Sequence, residues 1–270
     1  MPENEQKMNW LLADLDLHLA RQAPRFALCV GLDQYGIKGV PELTGCADDA
    51  RQVGARLKKL GFHLKVLTDQ QATLESVATA LGQIGRLADS VGSTIVYFHS
   101  GHGFRGEFDR RLLVDAEWDH RQESLVLFNG LFADDALASV VSKWPRRATA
   151  AILVDACHGG GLGPDLMRRD GPTLFVGSSE EDATSMVASN LRAGGYLSSF
   201  FRTALDEIIA ARGAGHDAIV GVGDLEDALL ANWPAICCHH ESMYLSDGRP
   251  TRGRQWPTVY RTARRELPLI

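Results

Sequence analysis

Two segments of the chain end an apolar run in reactive side chains and glycines: Val96-Tyr97-Phe98-His99-Ser100-Gly101-His102-Gly103 and Ala151-Ile152-Leu153-Val154-Asp155-Ala156-Cys157-His158-Gly159-Gly160-Gly161. A buried parallel strand delivers chemistry at its carboxyl end in this way. One segment supplies an imidazole and the other a thiol. A cysteine reacts as its thiolate, and a neighbouring histidine can take the proton or, once charged, stabilise the anion. The pair suits acyl transfer. Glycines beside both residues let a substrate carbonyl approach the main chain, so the amides of Gly103 and Cys157 are candidates for holding an oxyanion. A single cysteine or histidine is more often a packed core residue, but two at strand ends, with glycine one or two residues on, favour chemistry. Zinc is the second rival, since His99, His102, Cys157 and His158 are all ligand types. The three-residue spacing of His99 and His102, and the adjacency of Cys157 and His158, send those side chains to opposite faces of a strand, which argues against a shared ion.

The elements that must position these residues alternate along the chain. Strands are expected at Phe26–Leu32, Phe62–Leu67, Thr94–Phe98, Ala150–Val154 and Thr173–Gly177. Helices are expected at Asp48–Leu60, Leu74–Leu87, Asp134–Trp144, Tyr196–Ala211 and Leu225–Trp233, with an irregular segment from Phe104 to Gly130. This is the pattern of a doubly wound α/β domain. Before it, Asn9–Arg21 reads as an amphipathic helix with Met8, Leu11, Leu12, Leu15 and Leu19 on one side. The tail, including Cys237-Cys238-His239-His240, reads as surface and edge strand, its Cys/His cluster lacking zinc spacing.

Composition narrows the class. The 270 residues, 45% hydrophobic and 23% charged, are enough for one large domain with a full core. No run approaches the ~18 apolar residues of a membrane span, and no signal peptide is visible, so a cytoplasmic protein without a membrane partner is expected. Five cysteines without framework spacing point to a reducing compartment. A net charge of −6 gives no reason to expect nucleic acid as a partner.

The two motifs resemble those of the caspase clan of cysteine peptidases (peptidase family C14), in its bacterial metacaspase-like, or orthocaspase-like, branch. Tyr97 to Gly103 is similar to the branch's Y-[FY]-[SA]-G-H-G histidine motif with one residue more, and Asp155 to Gly160 to its D-[SA]-C-H-S-G cysteine motif. Gly159 stands where the family usually has serine, a position that is not the nucleophile. His102 and Cys157 are 55 residues apart, in keeping with the roughly 50 of caspases. The resemblance implies a caspase-like three-layer α/β/α sandwich around a mostly parallel six-stranded sheet, with a last strand near Pro257–Tyr260. It also implies an extension over 1–24 and a peptidase domain over 25–270, made of a large part (about 25–160), a linking loop (about 161–172) and a small part (about 173–270). His102 and Cys157 become the catalytic dyad.

The branch lines its primary pocket with acids and cleaves after Arg or Lys, so polypeptides with a basic residue before the scissile bond are the implied substrates. Asp155, two before the nucleophile, and Asp49, in Leu43-Thr44-Gly45-Cys46-Ala47-Asp48-Asp49-Ala50, match the pocket acids, and Ser100 matches a polar pocket residue. Paired carboxylates would grip a guanidinium by charge-assisted hydrogen bonds. The alternatives are a helix-start role for Asp49 and a role in holding nearby backbone amides for Asp155. Many relatives are cut after the nucleophile, which makes Arg168 and Arg169 in the Gly/Pro-rich stretch Gly161–Pro172 candidate processing sites, for self-cleavage or for an upstream protease; a solvated arginine pair is the alternative. Asp109 and the Asp134-Asp135 pair resemble calcium-binding acids of some metacaspases, against a helix-cap alternative for the pair. No cofactor is required for the chemistry; calcium is implied as an activator. The resemblance suggests a regulated protease in a bacterial cell-death or defence pathway. A caspase-fold adaptor or pseudoprotease acting by binding is the alternative function. A nucleotide-binding α/β protein is disfavoured, since no P-loop or G-x-G-x-x-G follows a strand.

Overall fold

The computed structural model describes residues 23–89, 92–107, 121–179, 195–213, 221–231, 243–244, 250–251, 257–265, 267 and 269. The expected N-terminal helix, Asp109, and Cys237 to His240 lie outside them.

Six strands form one sheet in the order β11-β8-β7-β3-β1-β2. They are β1 (Arg25–Gly31), β2 (His63–Thr68), β3 (Thr94–Ser100), β7 (Thr149–Asp155), β8 (Thr173–Gly177) and β11 (Thr258–Arg261). All neighbours pair in parallel except β11, which closes the edge antiparallel to β8. The central strands are apolar on both faces because both are covered. Leu28, Tyr97, Ile152 and Phe175 face one layer, with helices α2 (Leu74–Leu87), α3 (Asp134–Val141) and α4 (Gly163–Leu166). Cys29, Phe98, Leu153 and Val176 face the other, with α1 (Cys46–Lys59), α5 (Tyr196–Gly213) and α6 (Val222–Leu230). Strand parity therefore puts Ser100 and Asp155 on the side of α1 and α5, and His99 on the opposite side.

Two expectations are corrected. The segment expected to be irregular from Phe104 to Gly130 contributes three antiparallel strands, β4 (Gly103–Glu107), β5 (Arg121–Leu127) and β6 (Gly130–Ala133), which form a second sheet. The loop expected at 161–172 is compact, running through a 3₁₀ turn (Gly159–Leu162) and α4. Two-residue strands β9 (Met243–Tyr244) and β10 (Pro250–Thr251) pair elsewhere.

Candidate functional site

β3 and β7 lie side by side in the register His99 to Val154 and Ser100 to Asp155, so His102 and Cys157 each leave the same sheet edge two residues beyond a paired position. The Gly101 amide donates to the Asp155 carbonyl at 3.2 Å. At Gly103 the two backbones touch: a Cβ there would lie 1.7 Å from the Cys157 carbonyl oxygen. Only glycine fits. Gly103→Ala must push these segments apart, and a displacement near 1 Å costs on the order of 10²-fold in rate. That loss in kcat/KM, with slower alkylation of Cys157, is expected from this substitution; an alanine variant with wild-type values contradicts the contact.

The imidazole of His102 is held from two sides. Its backbone N–H donates to the Tyr35 hydroxyl at 2.9 Å, and the Tyr35 ring lies 5.0 Å from the imidazole, centroid to centroid. Its Nε2 lies 2.9 Å from the Pro41 carbonyl oxygen. A carbonyl can only accept, so Nε2 carries the hydrogen and the neutral ring keeps its lone pair on Nδ1. Neither Tyr35 nor Pro41 was legible in the sequence as part of the site; a backbone carbonyl leaves no side-chain signature.

Of the described cysteines, Cys157 is partly exposed while Cys29 and Cys46 are buried. Burial pushes the Cys46 thiol up to about 12, opposed by a hydrogen bond with the Ser100 hydroxyl. Burial raises Cys29 further still. After Cys157 the chain turns sharply, with His158 in the left-handed region at φ 57. The Ala156 carbonyl just before it accepts from the hydroxyls of Ser178 and Ser179, at 3.3 and 3.1 Å. His99, one of the four zinc-ligand types, is fully buried on the other face, with neither ring nitrogen hydrogen-bonded. Burial draws it down to about 3 and keeps it neutral.

Asp49, Asp155, Ser100 and Cys46 come together on the α1 and α5 side, all buried. Asp49 does not cap α1. Its Oδ2 accepts the Gly195 amide at 3.0 Å, and its Oδ1 lies 3.0 Å from the Arg202 guanidinium. Burial raises its carboxyl to about 7, against the opposing pull of Arg202 and the Gly195 amide. The Oδ2 of Asp155 accepts both the amide and the hydroxyl of Ser198, at 2.8 and 2.7 Å.

Arg169 is no surface residue. Its guanidinium, 4% exposed, donates to the carbonyls of Pro145, Ala148 and Pro172 and to the Thr173 hydroxyl. The structure thus places this candidate processing site in the interior. Arg168 is exposed and pairs with Asp165 at 3.2 Å, on a turn closed by backbone hydrogen bonds.

Asp134 and Asp135 meet a third acid, Asp165 of α4, with one ligand oxygen from each lying within 4.8 Å of the others. Asp134 is buried; its Oδ1 accepts the Asp135 amide at 2.7 Å, while its Oδ2 has no hydrogen-bond partner. Burial, then the charge of Asp165, raises its carboxyl. Hard divalent cations favour such oxygen sets. Asp165 lies thirty residues beyond the pair, with no local pattern linking them.

The comparisons agree with this geometry. The caspase domain family model matches residues 24–267. Metacaspase-4 of Arabidopsis thaliana is 30% identical over 197 residues, covering 69% of this chain and 45% of the relative. Metacaspase-6 of the same plant is 31% identical over 146 residues, covering 50% and 38%. The chain thus spans less than half the length of these relatives. Among solved structures, caspase-1 of Spodoptera frugiperda superposes with a TM-score of 0.57 at 17% identity, over 90% of both chains. The protein GSU0716 of Geobacter sulfurreducens does so with a TM-score of 0.63 at 16% identity, over 89% of this chain and 94% of that one. With a six-stranded sheet whose adjacent strands lead to His102 and Cys157, and a family match across nearly its whole length, this chain belongs to the caspase-domain family of C14 cysteine peptidases.

Proposed function

We propose that the chain is a cysteine endopeptidase in which His102 and Cys157 act as the dyad and the acids beside them select a basic residue, Arg or Lys, before the scissile bond. The observation that carries the reading is the backbone contact between the His102 and Cys157 segments, with Nε2 of His102 committed to Pro41. Nδ1 is then the nitrogen with a lone pair for the thiol proton. The Cys157 thiolate attacks the scissile carbonyl carbon, and the Gly103 and Cys157 amides are the candidate donors to the resulting oxyanion. The C–N bond breaks as His102 returns its proton to the departing amine. Water, deprotonated by the same imidazole, attacks the thioester and releases the carboxylic product and the thiol.

The test compares peptides that differ only at the residue before the cut. A site with buried acids should prefer Arg over Asp by on the order of 10³ or more in kcat/KM. Preference for Asp, or no cleavage of either, overturns the reading. The binding-only alternative draws on one observation, the engagement of both pocket acids by Arg202 and Ser198 of α5. It requires that no covalent adduct form at Cys157.

Calcium fits the Asp134, Asp135 and Asp165 set, on the strength of the bare buried Oδ2 of Asp134. A bound cation would supply positive charge that holds α3 against α4, a few residues beyond the nucleophile. Calorimetric titration should show calcium binding that weakens at least about tenfold in Asp134→Asn. It should also weaken as pH falls, because the raised Asp134 carboxyl must lose its proton to bind. Binding that is unchanged by the substitution places calcium elsewhere. The cytoplasmic, regulated protease of a cell-death or defence pathway remains the setting we propose, with activation by calcium in place of a cut at Arg169.

A further inference from the structure

Both contacts that hold His102 come from one stretch of chain, the loop 32–45 between β1 and α1. The Tyr35 hydroxyl has one hydrogen to give; it donates to the Leu32 carbonyl at 3.1 Å and accepts the His102 N–H at 2.9 Å. Burial pushes its phenol pKa up, so it keeps that hydrogen. Pro41, further along the same loop, supplies the carbonyl that takes the hydrogen of Nε2. A loop has no ladder to fix its course, so the ties on its backbone decide where the imidazole stands.

Two carboxylates make those ties. The Oδ1 of Asp69, just past β2, accepts the amides of Asp33 and Gln34, the two residues before Tyr35, at 2.8 and 3.0 Å. Asp33 then closes the loop on itself. Its main-chain carbonyl accepts the Leu43 amide at 2.8 Å, just beyond Pro41, and its Oδ1 accepts the Cys46 amide at 2.8 Å, at the start of α1. Asp69 works from the left-handed region, at φ 48, a conformation that a residue with a side chain keeps only when its surroundings impose it. The Asp69 carbonyl accepts the Ala72 amide at 2.8 Å, the Ala72 carbonyl accepts the Phe128 amide at 3.0 Å, and the Phe128 carbonyl returns to the loop by accepting the Gly36 amide at 2.8 Å. The loop is thus gripped on both sides of Tyr35.

We propose that Asp69 and Asp33 form a clasp that presents Tyr35 and Pro41 to His102, and that Tyr35 and Asp69 are positioning residues for its proton transfer. They act through the imidazole. The Tyr35 hydroxyl fixes where the His102 backbone stands, and the clasped loop keeps the Pro41 carbonyl on Nε2, which leaves Nδ1 to the thiol. The inference rests on the dyad reading above and adds the residues that orient its base.

The test reads kcat and KM for one peptide substrate, at a temperature well below the melting point of each variant. Asp69→Gly removes the carboxylate while suiting the positive φ; it should lower kcat about tenfold or more, with KM changed by less than about twofold, because the pocket acids stand on α1 and β7. Asp69→Asn keeps an oxygen acceptor and should restore most of that rate. Tyr35→Phe keeps the ring, loses the hydroxyl and should also lower kcat about tenfold. Since both act on one imidazole, Asp69→Gly combined with Tyr35→Phe should fall no more than about threefold below the poorer single variant. Tyr35→Phe, which keeps the packed ring, decides the matter by itself if Asp69→Gly does not fold. Wild-type kcat in either single variant, a loss carried by KM, or losses that multiply in the double variant overturns the clasp. A wild type that cleaves no peptide, or whose Cys157 is alkylated equally fast after His102→Ala, defeats the dyad reading instead.

Discussion

Cys157→Ala is expected to reduce peptide hydrolysis by a factor on the order of 10⁶, the scale of removing a nucleophile from a catalytic unit. The substitution removes a partly exposed sulfur from a turn whose backbone is held independently. The Ala156 carbonyl is fixed by two serine hydroxyls, the Gly160 amide donates to the Ser179 carbonyl at 2.9 Å, and Gly103 packs against the Cys157 main chain. Melting temperature should therefore hardly move while turnover disappears. Cys46 cannot substitute for the lost thiol, because burial holds it up to about 12, far from thiolate at neutral pH. Steady-state rates and thermal melts on the same preparations check this, and a variant retaining even a hundredth of wild-type turnover removes Cys157 from the scheme.

The largest loss of stability is expected at a residue that the sequence presents as a surface arginine. Arg169 binds three carbonyls and a hydroxyl at 2.6–3.0 Å, tying the chain before β7 to the chain before β8 at the sheet edge opposite the site. Burial draws its guanidinium down to about 10, so it stays charged at neutral pH. Arg169→Met removes every donor at once: the Ala148 carbonyl loses the bond given to it, at a cost of about 1–3 kcal/mol, while Pro145 and Pro172 lose their second bonds but keep the Ala148 and Ala150 amides at 3.1 and 2.9 Å. The expected loss is about 3–5 kcal/mol, read as a fall in melting temperature on the order of 10 °C. Arg169→Lys keeps the charge but reaches fewer acceptors and should fall between. Turnover at low temperature should survive in both, because the site lies at the other end of the strands. A methionine variant that melts with wild type contradicts the anchoring role. So does a native-state cleavage fragment beginning at Asp170, which would need this segment to open under folded conditions.

What could be read from the sequence follows from where side-chain chemistry is local. The central strands β3 and β7 are nearly continuous apolar runs, β2 at the edge alternates polar and apolar residues, and the residues that end β3 and β7 announce themselves by type. The second sheet did not, because its strands carry charge inward. Arg105 and Glu123 face each other across β4 and β5 at 2.9 Å, both nearly buried, which breaks the apolar and polar alternation that marks a half-buried strand. Asp49 does stand in the first turn of α1, but its partner Arg202 was not legible, because it lies far along the chain, on a helix that tertiary packing brings over it. Asp165 joined the Asp134 and Asp135 pair by the same kind of long-range folding. A dibasic pair looks solvated until its surroundings are known, and Arg169 is nevertheless interior.

The central claim is that one imidazole and one thiol at a shared sheet edge react with the carbonyl of a basic residue. Covalent labelling with a peptidyl-arginine acyloxymethyl ketone, read by intact-mass and peptide mass spectrometry, tests it most directly. The account predicts one equivalent of adduct per chain, on Cys157, formed faster than with the matched aspartyl reagent and suppressed in His102→Ala. Adduct on Cys46 or Cys29, or equal labelling with and without His102, would contradict it.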